Sequence, residues 1–501
     1  MARITMKFGG TSVGNAEALR RAAGIVRQTA GEGHQVVVVT SAMAGVTNLL
    51  IEGARTASQG DGARYTAIVH ALQVQHDEAI DALIEDPSEA QSLSDMIYGL
   101  INQFAAFCAG MYVLREASDR AMAAVSSLGE RMCAPLLAAL LRQTGLPSQP
   151  LDASALLITD DQYLNAGVFT ADSEPNVRRG VLPLLERGVV PVITGFIGAT
   201  RQGVVTTLGR SGSDYSATLF GAFLHSDEVW IWTDVDGVMT ADPRAIADAR
   251  VIPVISYAEM GEMAHYGAKV LHSKTVQPVV ERSIPLRVKN SFNPSHPGTL
   301  ITNEANATPG TVKAVTAIRD VSLITVAGRG MIGVPGIAAR TFTAVAKQSA
   351  NVLMITQSSS EQSICFVVPE DKSRAVVEAI ENEMAVEFGR QDIDRAWADN
   401  DVEIITVVGA GMRRQPGVAA RVFGALAEGE VNVIAIAQGT GDYCLSMVVN
   451  ARDTEVAVSQ IHKLVVLNGR ENLPASSLPG ANGAAGRQLA PQNASEREHL
   501  S

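Results

Sequence analysis

Short runs dense in branched apolar residues alternate along this chain with stretches whose apolar positions recur every three to four residues. From Arg3 to Phe8 and from Gln35 to Val39 the pattern predicts strands, and from Ala16 to Gln28 it predicts a helix between them. Between Ala63 and Glu116 the periodicity is helical with almost no strand signal, interrupted near Asp86-Pro87, which predicts a helical insertion at about 63–116. Alternation resumes with a helix from Glu130 to Arg142, strands from Val189 to Ile197 and Val204 to Leu208, a helix from Asp214 to Leu224 and a strand from Glu228 to Thr233. Ser256-x-x-Glu259 is a capping box that opens another helix, Ala268 to Ser283 form the next, and Pro285 to Asn290 return as a strand. Crossovers of this kind imply an α/β fold, a mostly parallel sheet sandwiched by helices.

The stretch from Asn293 to Gly310, rich in Pro, Asn and Thr, is expected to be a linker. Beyond it the chain repeats itself, because Val321 to Val368 aligns without gaps on Val402 to Val449. Ile324-Thr325-Val326, Gly328, Gly330-Met331, Pro335-Gly336 and Asn351-Val352 recur as Ile405-Thr406-Val407, Gly409, Gly411-Met412, Pro416-Gly417 and Asn432-Val433. Each copy reads strand, glycine turn, helix, strand, strand, helix. Two large copies make a tandem pair of small α+β units and not a solenoid. The tail from 471 to 501, full of Ser, Pro, Gly, Ala and Asn, is expected to be disordered.

Length and composition narrow the function. At 501 residues with 47% apolar, the chain has material for several cores, and 52 acidic against 40 basic residues give a net charge of -12. That field repels nucleic acid and anionic lipid, so neither is expected as a partner, and an anionic substrate must be met by local cations. No charged-then-apolar leader and no run of about 20 apolar residues is read in the sequence, so a cytoplasmic location is expected. Four scattered cysteines form no C-x-x-C pair, and no metal site made of protein side chains is identified.

Lys7-Phe8-Gly9-Gly10-Thr11-Ser12-Val13 puts a lysine at the end of the first strand and two glycines at the entrance to a helix. Such a turn offers backbone N–H groups to an anion, although a Gly-Gly turn by itself is as readily a plain connection. Asp214 by local pattern is equally a helix cap, and Glu130 equally a carboxylate favoured at a helix N-terminus. Gly328-x-Gly330-x-x-Gly333 has the look of a dinucleotide fingerprint, but its second copy lacks the third glycine and no ribose-binding acid follows the next strand.

The ordered motifs resemble the aspartate kinase family. Val39-Thr40-Ser41-Ala42-Met43-Ala44-Gly45-Val46-Thr47-Asn48, Ser127-Leu128-Gly129-Glu130-Arg131 and Thr194-Gly195-Phe196-Ile197-Gly198 are similar to family motifs. So are Thr207-Leu208-Gly209-Arg210-Ser211-Gly212-Ser213-Asp214-Tyr215, Trp232-Thr233-Asp234-Val235-Asp236-Gly237, Thr240-Ala241-Asp242-Pro243-Arg244 and Gly267-Ala268-Lys269-Val270-Leu271-His272. Many members carry Gly where this chain has Ser211. The resemblance implies an amino acid kinase fold over about 1–300, a linker over 301–311 and ligand-sensing ACT domains over 312–390 and 391–470. In that family one copy is typically inserted into the other, so the strand from Val312 to Ile318 is expected to join the second copy. Some relatives are fused to a homoserine dehydrogenase, and no further domain pattern is read after the second copy here.

The implied reaction is ATP-dependent phosphorylation of L-aspartate on its side-chain carboxylate to 4-phospho-L-aspartate. It opens the route to lysine, threonine, methionine and isoleucine and is subject to feedback by an end product. Lys7, Asp214 and Lys269 are the expected catalytic residues, with Mg²⁺ bridging the β- and γ-phosphates. Ser41, Thr47, Glu130, Arg210, Ser213 and Asp214 are expected around aspartate, where Arg210 can grip a carboxylate with a two-pronged fork. Lys7, Gly9, Gly10, Thr233, Asp234, Asp242, Arg244 and Lys269 are expected around ATP. A threonine or lysine effector is expected at the first copy, against Met331, Val334, Ser360 and Glu361, and the ACT domains are expected to pair subunits into a homo-oligomer. Two other readings stay open: a kinase for another acid such as glutamate or acetylglutamate, and a silent amino-acid sensor.

Overall fold

Strands of this chain that are apolar at nearly every position become the middle of a sheet covered on both sides. The computed structural model describes residues 1–265, 271, 273–303, 312–332, 334–357, 362–412, 415–438 and 443–467. In chain order its first half contains β1 (Arg3–Phe8), α1 (Ala16–Gly31), β2 (Gln35–Thr40), α2 (Val46–Gln59), α3 (Gly62–Leu83), α4 (Pro87–Leu114), α5 (Asp119–Ser126), α6 (Leu128–Gln143) and β3 (Ser148–Leu151). There follow β4 (Ile158–Thr159), α7 (Thr170–Glu186), β5 (Val190–Thr194), β6 (Ile197–Thr200), β7 (Val205–Thr207), α8 (Gly212–Phe223), β8 (Glu228–Thr233), β9 (Val254–Ser256), α9 (Tyr257–His265), α10 (Ser273–Glu281), β10 (Leu286–Asn290) and β11 (Thr299–Thr302).

Eight strands form one sheet in the order β3-β5-β2-β1-β8-β10-β11-β9, parallel except where β11 meets β10. Met6, Phe8, Val36, Val38 and Val192 point to one face, against the apolar sides of α1 to α4 and α6. Val37, Val39, Ile193, Val229 and Ile231 point to the other face, against α7 to α10. This is the mostly parallel sandwich expected from the alternation. Asn15 caps α1 by accepting from the Ala18 N–H at 2.9 Å, and the capping box closes as expected, with the Ser256 N–H donating to Glu259 Oε2 at 2.8 Å.

Three local readings need correction. The apolar run from Val189 to Ile197 is two strands, because Phe196 adopts a left-handed φ of 66° and bends the chain after Gly195. The expected linker contains β11, whose Thr-Leu-Ile-Thr is too short to signal itself but pairs with both β10 and β9. Two helical stretches, Pro87–Leu114 and Asp119–Gln143, are apolar and long enough to cross a membrane by length and composition, and the second is packed almost wholly inside the fold.

The second half contains β12 (Val312–Ala327), α11 (Ile337–Lys347), β13 (Met354–Gln357), β14 (Ser363–Pro369), α12 (Glu370–Glu383), α13 (Ala385–Arg390), β15 (Arg395–Gly409), α14 (Val418–Glu428), β16 (Val433–Ala437), β17 (Cys444–Asn450) and α15 (Thr454–Ile461). Its six strands form an antiparallel sheet in the order β13-β14-β12-β15-β17-β16. Antiparallel pairing of β12 excludes the parallel crossover that a dinucleotide fingerprint requires. The long strands are shared between the copies. Val312 to Ile318 pair with Gly409 to Ile404 of the second copy, while Arg395 to Asp399 pair with Ala327 to Leu323 of the first. The tail after 467 lies outside the described residues.

Candidate active site

At the C-terminal end of β1 the chain turns on itself: the Gly9 N–H donates to Trp232 O at 3.1 Å, and the N–H groups of Ser12 and Val13 donate to Gly9 O. A Cβ on Gly9 would lie 3.4 Å from both Lys7 Nζ and Trp232 O, at the edge of ordinary van der Waals contact, so the turn lies against the lysine. Lys7 Nζ stands 2.5 Å from Asp214 Oδ1, with only 11% and 13% of the two side chains exposed. Asp214 sits in the first turn of α8, one turn after Ser211, which takes a left-handed φ of 54°. A glycine adopts that conformation more readily than a serine, so Ser211 is a position of local backbone strain.

The opposite wall comes from β2 and α6. The Ser41 N–H donates to Phe8 O at 3.1 Å, and Gly195 N–H to Thr40 O at 2.9 Å, which ties the ends of β1, β2 and β5 together. A Cβ on Gly129 would lie 2.7 Å from Ala42 Cβ, so this glycine allows the start of α6 to sit against the turn that leads to Thr47. Glu130 follows it, 3% exposed, with no partner for Oε2. Burial pushes its carboxyl up to about 8, opposed by its own N–H, the Ala42 N–H and the charge of Lys7. A buried acid held near neutrality with a spare oxygen is suited to a cation that arrives from solution. A Cβ on Gly195 would lie 2.8 Å from Ser213 Cβ, which brings Ser213 to the same strand ends. Arg210 is exposed, and against the neighbouring Gly209 the structure adds Asn165, whose Oδ1 accepts from Lys274 Nζ at 3.3 Å. Neither Asn165 nor Lys274 has a local sequence signal.

A second group gathers beyond β8. Thr233, Asp234, Asp242 and Arg244 line a cavity of about 650 Å³ between the α/β half and the antiparallel half. Arg244 grips Asp242 through Nε at 3.1 Å and a second nitrogen at 2.7 Å, which holds that carboxyl below its ordinary range. Lys269 lies outside the described residues. Of the expected effector contacts, the Met331 side chain is buried in the core of the first copy and Val334 is exposed, while Ser360 and Glu361 lie outside the described residues.

Comparison with known proteins agrees with this geometry. Residues 2–290 match the amino acid kinase family, and residues 324–384 and 405–464 match ACT domains. The chain is 35% identical over 92% of its length to the chloroplastic bifunctional aspartokinase/homoserine dehydrogenase 1 of Arabidopsis thaliana, and covers 51% of that protein. It thus spans about half the length of this relative. It is 31% identical over 91% of its length to the chloroplastic aspartokinase 1 of Arabidopsis thaliana, covering 79% of it. The structure superposes on Escherichia coli aspartokinase III in complex with aspartate and ADP with a TM-score of 0.76 at 29% identity, covering 92% of this chain and 99% of that one. The same enzyme in complex with lysine and aspartate gives a TM-score of 0.75, again at 29% identity and with the same shares covered. The chain belongs to the aspartokinases of the amino acid kinase family.

Proposed function

We propose that this protein transfers the γ-phosphoryl group of ATP to the side-chain carboxylate of L-aspartate, giving 4-phospho-L-aspartate and ADP. The observation that carries the reading is the juxtaposition, at the strand ends, of the buried Lys7–Asp214 pair with the buried carboxyl of Glu130, whose Oε2 has no partner. The nucleophile, with a free pKa of about 3.9, is already ionised at neutral pH, so the chemistry asks for placement and charge and not for a general base. Lys7, kept in position by Asp214, offers a full positive charge to the transferring group, and the N–H groups of the glycine turn add to it. Arg210 takes a substrate carboxylate, Glu130 takes the ammonium, and Ser41, Thr47 and Ser213 supply hydroxyls. Thr233, Asp234, Asp242, Arg244 and Lys269 are assigned to the nucleotide side, where ATP would enter as its Mg²⁺ complex and the ion would supply positive charge to the phosphates.

The two ACT units are proposed to sense threonine or lysine and to pair subunits, with the effector on the first unit near Met331, Val334, Ser360 and Glu361. The protein is proposed to work in solution in the cytoplasm. A coupled assay of ADP release tests the activity, the substrate and the feedback. Aspartate should support turnover where glutamate and acetylglutamate do not, and threonine or lysine should inhibit it. Turnover with glutamate in preference to aspartate would move the substrate assignment, and no turnover with any acid would favour a silent sensor.

A further inference from the structure

The segment after β8 is held from its far side by the regulatory half of the chain. The Val315 N–H of β12 donates to Thr240 O at 2.9 Å. The buried Thr240 Oγ1 lies 2.8 Å from Nε2 of His462, itself 1% exposed at the end of α15. Ala241 and Ile246, which bracket Asp242 and Arg244, are buried in the same apolar cluster as Val407, Leu426 and Ile461 of the second copy. Ala314, on the same strand as Val315, belongs instead to the kinase-side core with Met260. The 650 Å³ cavity repeats the division: Thr233, Asp234 and Met239 line it from the kinase side, and Thr316, Arg319 and Thr454 from the regulatory side.

From this arrangement we infer that Thr240 and His462 are positioning residues for the nucleotide. The second regulatory unit holds the segment from Thr240 to Ile246, and with it Asp242 and Arg244, in the geometry that nucleotide binding requires. The inference rests on the proposed assignment of that segment to the nucleotide side. Close-packed cores do not deform continuously, so a shift of the second unit must carry Ala241 and Ile246 along or break the Thr240 contacts. The regulatory half therefore acts on ATP affinity directly, without passing through Lys7 and Asp214. A second arrangement of the segment, with the Thr240 contacts broken and ATP bound more weakly, would supply the differential affinity that any regulation of this kind needs.

The test uses the full chain and ADP as the probe. Calorimetry gives the ADP dissociation constant, and initial rates give the two KM values, for wild type, His462→Leu, His462→Gln and Thr240→Val. His462→Leu and Thr240→Val should weaken ADP binding and raise the KM for ATP by about fivefold or more, with the KM for aspartate and kcat within about twofold of wild type. His462→Gln, whose amide can still reach Thr240, should recover most of the loss. Unchanged ADP affinity in the folded variants overturns the inference, and so does an equal rise of both KM values, the signature of general loosening. If His462→Leu does not fold, the volume-matched Thr240→Val decides. A wild-type chain that binds ADP but does not phosphorylate aspartate overturns the activity reading and leaves the ADP comparison able to decide this one; a wild-type chain that does not bind ADP overturns both.

Discussion

Two turns of this molecule look alike in sequence: Gly9-Gly10 after β1 and Gly328-x-Gly330 after β12 both leave a strand and open a helical segment. Around the first, the space beside the glycine is taken by Lys7 Nζ and the backbone of Trp232, and a helix N-terminus with Asp214 faces it. Around the second, the space is taken by the backbone of Asp392, with Asp392 Cα only 2.5 Å from where a Cβ on Gly330 would stand. One glycine turn lies in ordinary contact with a charged side chain at the open end of a parallel sheet, where ligands bind. The other clears room for a neighbouring chain segment in an antiparallel sheet. Glycine spacing reports close approach, and only the topology around it tells whether a ligand or the protein itself is approaching.

The comparison breaks most readily at Lys7. Lys7→Ala should lower kcat by about two to three orders of magnitude while the protein remains folded, because the charge acts on the transition state. Near-normal turnover in the folded variant would make the first turn as inert as the second. Next come the glycines themselves. Gly330→Ala, forced against the Asp392 backbone, should destabilise the chain by about 1–3 kcal/mol and be seen as a lower melting temperature or denaturant midpoint. Gly9→Ala, with contacts at 3.4 Å, should change the melting temperature little and act on turnover instead. A reversal of that pattern would show that the two turns have been assigned the wrong way round.

Arg210→Lys should raise the KM for aspartate by about tenfold, the effect of one hydrogen bond to a charged group, with the KM for ATP unchanged. A rise confined to ATP would reassign Arg210 to the phosphates.

The smallest effect expected is a proton. Glu130, pushed up to about 8 in the free protein, is mostly protonated at pH 7, and an arriving ammonium group must lower its pKa. Aspartate binding should then release up to about one proton, read as a binding enthalpy that depends on the ionisation heat of the buffer. The same shift has a stability consequence. The folded pKa lies above the unfolded value of 4.5, so the contribution is complete below 4.5 and is lost as pH rises through about 8. Glu130→Gln should flatten that part of the stability profile and remove the buffer dependence. A buffer-independent enthalpy in wild type would place the ammonium elsewhere.

What could be read from the sequence was local or periodic. Lys7 with its two glycines is a contiguous string, and a sheet covered on two faces follows from the unbroken apolar runs Val36 to Val39 and Val229 to Ile231. The repeat revealed the second half because its glycines and helix-opening residues recur in step. The break at Gly195-Phe196 was hidden because Val190 to Ile197 stays apolar on both sides of it, and only the approach of Ser213 and Thr40 requires the bend. The meeting of Glu130 with Lys7, of Asn165 with Lys274 and of Thr240 with His462 joins residues far apart in the chain. No spacing rule encodes such a meeting, because it exists only once the sheet order is set.

The exchange of strands between the two regulatory copies bears on how the chain is made. Val312 to Ile318 leaves the ribosome before the whole of the first copy, yet its partners in β15, from Ile404 to Gly409, are synthesised only after that copy is complete. During that interval an apolar strand edge waits unpaired, a hazard for association with other nascent chains. Lys313 within the waiting run and Arg319 just after it add charge, as gatekeeping residues do. A truncation after the first copy would leave that edge permanently open, so a shortened chain should aggregate and not behave as a kinase relieved of control.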